Sequence, residues 1–388
     1  MYFGNNPMTA FAGFESGVGK TDGLGGTGEI FNNYTANKAS GYCSHAHGTN
    51  AKAMGDYSHA DGFFTTANGE CSSAHGDSSI ASGRAATAQG CYTKATGVGA
   101  NSQGFWTGAH GNYSFAQGFE TKANGNNSVA LGKQTTAANY HTVAEGWGTI
   151  ASAECSHAQG KFNIEDTAQK YLHIVGKGAN ASSRSNAHTI DTAGNAWFGG
   201  SVTSTGADYA EMFEWEDGNP DKQDRVGLLV TLDGAKIKLA QSADDFVLGI
   251  VSSTPAIIGD NQECEWQGKY LKDDFGRVQY QQVERYEETQ VLNEETGELE
   301  TKTELIVESV PVINPEYDPN KEYIARGDRP EWDCVGMLGK LYVYDDGSCE
   351  VNKYVAPSAN GVATLSAEKT NIRVMERVAE NIILVLMK

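Results

Sequence analysis

GNYSFAQ-GFETKAN-GNNSVAL-GKQTTAA, residues 111–138, consists of four seven-residue units, each beginning with glycine. The same unit recurs from Gly41 to Gly160. Of the 17 units that begin between residues 41 and 153, 15 start with Gly, 16 have Ala in sixth place, and all have Ser, Thr or Ala in fourth place. Such regular spacing is typical of a repeat array and not of a globular enzyme domain.

The repeat predicts short strands and tight turns rather than a coiled coil. A helical heptad needs bulky apolar residues at two positions, and Gly costs roughly 1 kcal/mol in a helix interior. In a turn, Gly supplies a positive φ or a close backbone approach. Places four and six point to the same side of a strand and hold small residues, so we expect a thin interior. Two units then form one 14-residue coil of a parallel β-roll, and about eight coils give a rod roughly 40 Å long.

Residues 126–139, NNSVALGKQTTAAN, together with units such as GDYSHAD and GNYSFAQ, resemble the head repeat of YadA-type trimeric adhesins. That repeat also occurs in phage tail fibres and appendages. The resemblance covers residues 41–160 and implies a left-handed β-roll in a homotrimer, since so thin a coil buries little surface alone.

Composition limits the class of protein. The chain has 388 residues and no apolar run of 18 or more, so we expect no membrane insertion. Residues 1–12 lack the basic start and apolar core of a signal peptide, which favours a virion component assembled in the host cytoplasm over a secreted autotransporter. The seven cysteines are odd in number and have no zinc-type spacing, so we expect reduced thiols and no cofactor.

The net charge of −20 is distributed unevenly. Residues 208–388 have 18 Lys plus Arg against 36 Asp plus Glu, a net charge of −18, whereas residues 1–207 have 11 against 13, a net charge of −2. This balance argues against nucleic-acid binding. A nearly neutral rod suits an uncharged partner such as a host cell-surface glycan.

Glycine content, periodicity and strand patterns divide the chain into four regions. Residues 1–40 are Gly-rich and aperiodic, and we interpret them as a cap or as the segment that attaches to a virion tail or baseplate. Residues 41–160 are the repeat. Residues 161–207 include AHTIDTAGNAWFGGSVTSTG, whose alternating apolar residues around a Gly-Asn turn resemble the β-shafts of phage fibres. Residues 208–388 contain ordinary strand patterns, with the acidic NEETGELE predicted as a hairpin turn.

The sequence GADYAEMFEW, residues 206–215, lies at the change in composition. With DDFVLGIVSSTPAIIGD and the terminal RVMERVAENIILVLMK, it is similar to the autoprocessing intramolecular chaperone domain of phage neck appendages, classed among glutamic-type peptidases. The resemblance covers residues 208–388. It implies a domain that helps a fibre trimerise and then cuts itself away before the Asp of DYAE, here between Ala207 and Asp208, with Asp208 and Glu211 as the acidic pair.

Residue chemistry favours direct hydrolysis at this bond. An acyl shift needs Ser, Thr or Cys after the scissile bond, and Asp208 stands there. We expect Asp208 and Glu211 to share a proton across a turn, with Glu211 activating water and Asp208 assisting the leaving nitrogen, or with the two roles exchanged. We expect the site to be complete only in the folded trimer. The candidates for stabilising the oxyanion are Arg225, Lys236 and Lys238, each of which is alternatively a solvated salt-bridge partner.

Aromatic residues crowd into about two coils of the rod. Exposed rings stack on sugars, whereas rings at a trimer contact only pack, so a receptor patch and a packing cluster are both consistent with the sequence, and packing is favoured. The residues are Tyr92, Phe105, Trp106, Tyr113, Phe115 and Phe119.

A 14-residue period also aligns polar side chains in columns. His47, Asp61 and His75 form one column, and His45 and His59 begin another. Such columns are either a weak metal site or, more simply, a hydrogen-bonded polar ladder.

Two other motifs suggest enzymes. Asp56 and Glu70 would suit a retaining glycosidase, but Arg84 comes next in their column and would neutralise them. GVGKT at residues 17–21 resembles the end of a P-loop but lacks its first Gly and a preceding strand, which favours a flexible linker.

The sequence as a whole predicts a mainly β, homotrimeric phage or prophage tail-fibre or appendage adhesin whose C-terminal domain assists assembly and cuts itself. Its only enzymatic activity would be this single self-cleavage. A glycan-degrading tail spike and a bacterial surface adhesin are the alternatives.

Overall fold

The computed structural model divides the chain into two compact units, Met1–Val202 and Thr203–Lys388. It describes residues 17–18, 29–31, 37–262, 268–292 and 299–388. These residues form 35 strands and one short 3-10 helix, Arg326–Asp328. No helix within the described ranges is long and apolar enough to cross a membrane. With 35 strands and one short helix, the described part of the chain is mainly β, as predicted.

The repeat folds into a parallel β-roll in which strands of five residues alternate with strands of two. Every strand of the array pairs in parallel with the strand 14 residues away, so that Ala46 lies opposite Ala60 and Ala53 opposite Ala67. The predicted 14-residue coil is confirmed. The strands from the start of the chain to the end of the array are β1 Gly17–Val18, β2 Glu29–Phe31, β3 Lys38–Ala39, β4 His45–Thr49, β5 Lys52–Ala53, β6 His59–Phe63, β7 Thr66–Ala67, β8 Ser73–Asp77, β9 Ile80–Ala81, β10 Thr87–Cys91, β11 Lys94–Ala95, β12 Asn101–Phe105, β13 Gly108–Ala109, β14 Phe115–Phe119, β15 Lys122–Ala123, β16 Val129–Lys133, β17 Thr136–Ala137, β18 Val143–Trp147, β19 Ile150–Ala151 and β20 His157–Lys161.

The interior of the roll consists of the small side chains in places four and six. Ala60, Ala130 and Ala144 are completely buried, as are Thr65 and Ser128 beside them. Because these side chains are so short, the two walls of each coil lie close together, as the sequence predicted.

The glycines form two columns with different geometry. Those within the five-residue strands have a positive φ, such as +126° at Gly62 and +130° at Gly118. Those in the opposite column, such as Gly125, have no positive φ but approach the next coil closely. A methyl group on Gly62 would lie 2.0 Å from the carbonyl oxygen of Gly76, so no side chain fits there.

An antiparallel extension follows the roll. It consists of β21 Tyr171–Lys177, β22 Asn186–Asp191 and β23 Ala196–Phe198. β21 continues the parallel sheet beside β20, and β22 and β23 form a hairpin around Gly194 and Asn195. The Gly-Asn turn predicted for this region is confirmed.

The second unit is built around a ten-stranded sheet. Its central strand is the long Trp332–Tyr344, and two apolar clusters fill its core, one around Leu229, Ile250 and Val385 and the other around Trp215 and Ile237. The strands of this unit are β24 Asp208–Glu214, β25 Leu229–Asp233, β26 Lys236–Leu239, β27 Gly249–Val251, β28 Ile257–Gly259, β29 Tyr280–Leu292, β30 Leu299–Pro311, β31 Trp332–Tyr344, β32 Tyr354–Pro357, β33 Ala363–Ser366, β34 Ile372–Ala379 and β35 Ile382–Met387.

β29 and β30 form a separate two-stranded hairpin. Their register runs from Tyr280 opposite Pro311 to Leu292 opposite Leu299. The pairing confirms the predicted hairpin, although most of NEETGELE lies outside the described residues.

Candidate cleavage site

The Ala207–Asp208 peptide bond lies at the start of β24. This strand pairs with β31 in antiparallel fashion, with Asp208 opposite Gly339, and with β28 in parallel fashion on its other side. The backbone N–H of Lys340 donates a hydrogen bond of 3.1 Å to the carbonyl oxygen of Ala207, and that of Ala256 donates one of 2.7 Å to Asp208. The bond is thus fixed on both sides by main-chain contacts.

Two glycines of β31 allow this close approach. Gly339 has a φ of +120°, and a methyl group there would lie 2.3 Å from the Ala207 carbonyl oxygen. A methyl group on Gly336 would lie 2.6 Å from a carboxylate oxygen of Asp208. Isolated glycines in a strand mark close backbone approach. The sequence VGMLGKL contained this signal, but its link to Asp208 becomes visible only through the strand register.

Asp208 is a buried carboxyl group with an unusual environment. Only 3% of the residue is exposed, and neither side-chain oxygen makes a well-formed hydrogen bond. Burial raises the pKa of Asp208, and its own N–H and Ser252 offset this only in part. The protonated acid therefore persists to a higher pH than for an ordinary aspartate.

Glu211 lies on the other face of the same strand. Asp208, Ala210 and Met212 are buried, whereas Glu211 is half-buried and accepts a hydrogen bond of 2.5 Å from the Tyr209 hydroxyl. The turn predicted between Asp208 and Glu211 is wrong, because these residues belong to an extended strand whose side chains alternate. Within one chain the two carboxyl groups do not share a proton.

The basic residues proposed for the oxyanion are engaged elsewhere. Arg225 forms a two-point ion pair with Asp217, at 3.0 and 2.6 Å, and Lys236 contacts Glu214 at 2.8 Å. Lys238 lies 3.7 Å from Asp233. These contacts match the salt-bridge alternative, and the donor actually found at the Ala207 carbonyl is the backbone N–H of Lys340.

Cys334, opposite Met212 on β31, is a candidate nucleophile that the sequence analysis did not consider. Burial, together with the carboxylates of Asp208 and Asp333, raises the pKa of the Cys334 thiol to about 11. It is therefore protonated near neutral pH, and a thiol is a weak nucleophile. This favours water over cysteine as the attacking group.

Comparison with known proteins gives the family. The profile described as "Peptidase_G2, IMC autoproteolytic cleavage domain" matches residues 149–381, more than half of the chain. The chain belongs to this family. Two copies of the YadA head domain repeat match residues 109–135 and 123–149.

The chain is also similar to parts of longer phage proteins. It is 36% identical over 161 residues to the pre-neck appendage protein of Bacillus phage B103, a match covering 42% of this chain and 16% of the relative. It is 33% identical over 173 residues to the preneck appendage protein of Bacillus phage PZA, covering 45% and 17%. The matched region thus spans less than a fifth of these relatives.

The crystal structure of the pre-mature bacteriophage phi29 gene product 12 shares the fold. The TM-score is 0.53 at 22% identity, over 91% of this chain and 39% of that one. The β-roll followed by a β-sheet domain is therefore a known arrangement of elements.

The aromatic residues predicted as a cluster separate into different positions on the roll. Phe105 and Phe119 stack with centroids 5.5 Å apart, and Trp106 lies 5.2 Å from Phe105 and 6.1 Å from Tyr92. These four residues, the aromatic cluster below, are 37–50% exposed. Tyr113 is 67% exposed and lies over Gly99 instead.

A groove adjoins the aromatic cluster. It has a volume of about 450 Å³, and it extends from Trp106 past Glu120 and Gln134 to Phe162 and Arg184. Among the lining residues, Gln134 donates a hydrogen bond of 2.6 Å to Glu120. Aromatic walls around a few polar groups are typical of ligand-binding clefts.

The predicted polar column His47, Asp61 and His75 is in register on adjacent strands. Nδ1 of His47 lies 2.8 Å from Oδ1 of Asp61. His59, from the second predicted column, lies beside His75, with ring centroids 5.2 Å apart. Burial lowers the pKa of His59, and His75 adds to this effect.

The two motifs that suggested other enzymes have weak support. An oxygen of Asp56 accepts the backbone N–H of Tyr42 at 2.7 Å, and Arg84 lies 3.5 Å from Glu70, which matches the predicted neutralisation. Of GVGKT, only Gly17–Val18 lies within the described residues, as β1.

Proposed function

We propose that this chain is part of a homotrimeric phage appendage protein, a component of the virion, whose C-terminal domain assists trimer assembly and then cuts itself between Ala207 and Asp208. The observation that carries the proposal is the backbone hydrogen bond from Lys340 to the Ala207 carbonyl in a chain of the autoproteolytic family. The similarity to pre-neck appendage proteins supports a place in the virion.

Hydrolysis at this bond needs a base, an oxyanion donor and an acid. Glu211 takes a proton from water, whose oxygen attacks the carbonyl carbon of Ala207. The N–H of Lys340 stabilises the negative charge that develops on the carbonyl oxygen. Protonated Asp208 gives its proton to the departing nitrogen, so that Ala207 ends as a carboxylate and Asp208 as an amine. The raised pKa of Asp208 suits the acid role.

The positions of the two acids support completion of the site by a neighbouring subunit. Since Asp208 and Glu211 of one chain face opposite sides of β24, we infer that the Glu211 acting as base comes from a second chain and reaches the bond from outside. Cleavage would then wait for assembly, which prevents a monomer from losing its chaperone too early.

The surface of the roll supports a trimer. Phe115, Val129 and Val143 are half-buried neighbours on β14, β16 and β18, and Leu131 accompanies them on the same face. Because the roll interior contains only small side chains, this apolar column offers the larger hydrophobic area for a second and third copy to cover.

We further propose that the aromatic cluster and its groove bind a host cell-surface glycan. Phe105 and Phe119 are the last residues of β12 and β14, and Tyr92 and Trp106 each follow directly after a five-residue strand. In the apolar column, Phe115, Val129 and Val143 are instead the first residues of their strands. This separation supports adhesion over the packing alternative. Residues 1–40 would attach to the virion tail or baseplate, and they lie mostly outside the described residues.

Mutation of the base tests the cleavage proposal. Wild-type protein should yield fragments of residues 1–207 and 208–388 on a denaturing gel, whereas Glu211→Gln should remain full length and still trimerise by native mass measurement. Glu214→Gln is the matched control, because Glu214 lies on the same strand in an ion pair with Lys236 and should leave cleavage unchanged. Efficient cutting by Glu211→Gln would rule out this base, and an uncut wild-type trimer would rule out self-cleavage here.

A further inference from the structure

A cluster of three ligand side chains lies on the outer face of the five-residue strands near the start of the roll. The ligating atoms of His59, Asp61 and His75 all lie within 4.8 Å of one another. We propose that these three residues bind a divalent transition-metal ion of the zinc or cobalt type. This site is separate from the cleavage site and does not depend on it; it uses the same strand positions as the apolar column, four coils before Phe115.

The repeat register places the three residues together. His59 and Asp61 are two residues apart on β6, so their side chains point to the same face. His75 lies directly opposite Asp61 on β8. The 14-residue coil therefore converts residues 14 and 16 apart in sequence into neighbours on one flat surface.

Each side of the cluster has a supporting polar contact. Ser73 lies 2.7 Å from Nε2 of His75, which leaves Nδ1 of that ring to face a metal. When Nδ1 binds a metal, Nε2 carries the proton and donates it to Ser73. On the other side, Nδ1 of His47 lies 2.8 Å from one oxygen of Asp61, so the second oxygen can bind the ion. Such outer contacts orient metal ligands.

The ligand types select the metal. Two imidazole nitrogens and one carboxylate oxygen suit zinc, cobalt or nickel, whereas calcium and magnesium prefer all-oxygen sites. In a tetrahedral zinc site with bonds of about 2.0–2.1 Å, ligand atoms lie roughly 3.4 Å apart. Rotation of the exposed His59 side chain would draw the ligands inward to that spacing, and water would fill the remaining position.

A bound ion would join adjacent coils of the roll. β6 and β8 are held together by backbone hydrogen bonds and a thin alanine interior, and a metal bridging His75 to His59 and Asp61 would add a direct cross-link. Because only the folded roll brings these residues together, binding would stabilise it.

Titration of metal-free full-length protein with Co²⁺ tests the proposal. We expect each chain to bind one Co²⁺ ion with the visible absorption typical of tetrahedral Co²⁺. Zn²⁺ should displace this ion and should raise the melting temperature of the roll. His59→Gln combined with His75→Gln should weaken Co²⁺ binding at least 100-fold. Asp61→Asn alone should weaken it at least tenfold.

His173→Gln is the matched control. His173 also lies in a row of rings, 5.4 Å from His157 and 5.5 Å from His188, but no three-ligand cluster includes it among the described residues. This variant should bind like wild type. Circular dichroism and native mass establish that each variant is folded and assembled. Absence of the Co²⁺ signal from wild type, or its survival in the folded double variant, would overturn the proposal.

Discussion

At the scale of the residue, the two natural exceptions to the glycine rule have a structural explanation. Asn139 and Ala153 both fall in the column of Gly125, which has no positive φ. The other column is glycine throughout, with φ from +90° at Gly160 to +132° at Gly90. A side chain is tolerated only where the backbone conformation suits any residue.

This difference predicts unequal effects of substitution. Gly118→Ala would place a methyl group 1.9 Å from the carbonyl oxygen of Gly132 at a φ of +130°, and we expect a loss of about 2–5 kcal/mol in stability. At Gly125 a Cβ would lie 1.8 Å from the carbonyl oxygen of Asn139, so Gly125→Asn also needs a backbone shift, but it requires no positive φ and copies the residue already present at 139, so it should lose less. Thermal unfolding of the roll measured by circular dichroism compares the two. Equal falls in melting temperature would contradict the assignment of strain to the positive-φ column.

The third place of each unit was not predicted. Tyr57, Cys71, Tyr92 and Trp106 there have φ between 54° and 56°, although such residues rarely adopt the left-handed region. Backbone hydrogen bonds between coils hold them, such as the 2.7 Å bond from Tyr57 to the carbonyl of Tyr42. The sequence does not reveal this positive φ, because the residue in third place varies from coil to coil. The conformation is imposed by the hydrogen bonds between coils.

The candidate cleavage site was predictable in identity but not in geometry. DYAEMFE alternates buried and more exposed residues, a strand pattern that outweighs the turn expected between Asp208 and Glu211. The donor Lys340 lies 133 positions from Ala207, and long-range pairing of this kind leaves no local signal in the sequence. The position of the cut and the catalytic roles of the two acids stay predictions.

At the scale of the element, the sequence predicted the 14-residue length of a coil. It did not predict that the two halves of a coil form strands of unequal length. Both halves of a coil share Gly, a small residue and Ala, yet one half forms a five-residue strand, such as β16, and the other a two-residue strand, such as β17. The five-residue strands contain the positive-φ glycines, and the residues shared by the two halves do not reveal which half this will be.

Insertions should distinguish the two halves. Duplicating residues 125–138 adds a full coil and keeps every downstream column in place, so we expect normal trimer yield. Duplicating only residues 125–131 moves each five-residue strand to the side of the two-residue strands and places Asn139 and Ala153 in the positive-φ column. We expect this shorter insertion to abolish most of the trimer. Native mass spectrometry measures both, and equal yields would contradict the 14-residue coil.

At the scale of the whole molecule, net charge and exposed aromatic rings suggest different functions for the two units. The nearly neutral repeat carries exposed rings, and the acidic C-terminal part carries the cleavage bond. A strongly charged domain stays soluble while chains assemble, whereas a neutral surface with aromatic rings suits contact with sugars. If the proposed function is right, adhesion depends on the roll alone, and it should survive the loss of residues 208–388 after the trimer has assembled.

Adhesion is tested by removing one ring without disturbing assembly. Trp106 is 50% exposed, contacts Phe105 and Tyr92, and borders the groove, so Trp106→Ala should weaken binding to host cells or their glycans at least tenfold, about 1.4 kcal/mol. The trimer should melt at nearly the wild-type temperature, because the side chain lies away from the apolar column. Tyr57→Ala is the matched control: Tyr57 holds the same third place in its unit, is 56% exposed and contacts Tyr42, but it does not line the groove. Loss of the trimer in Trp106→Ala would instead establish that the aromatic cluster packs between subunits.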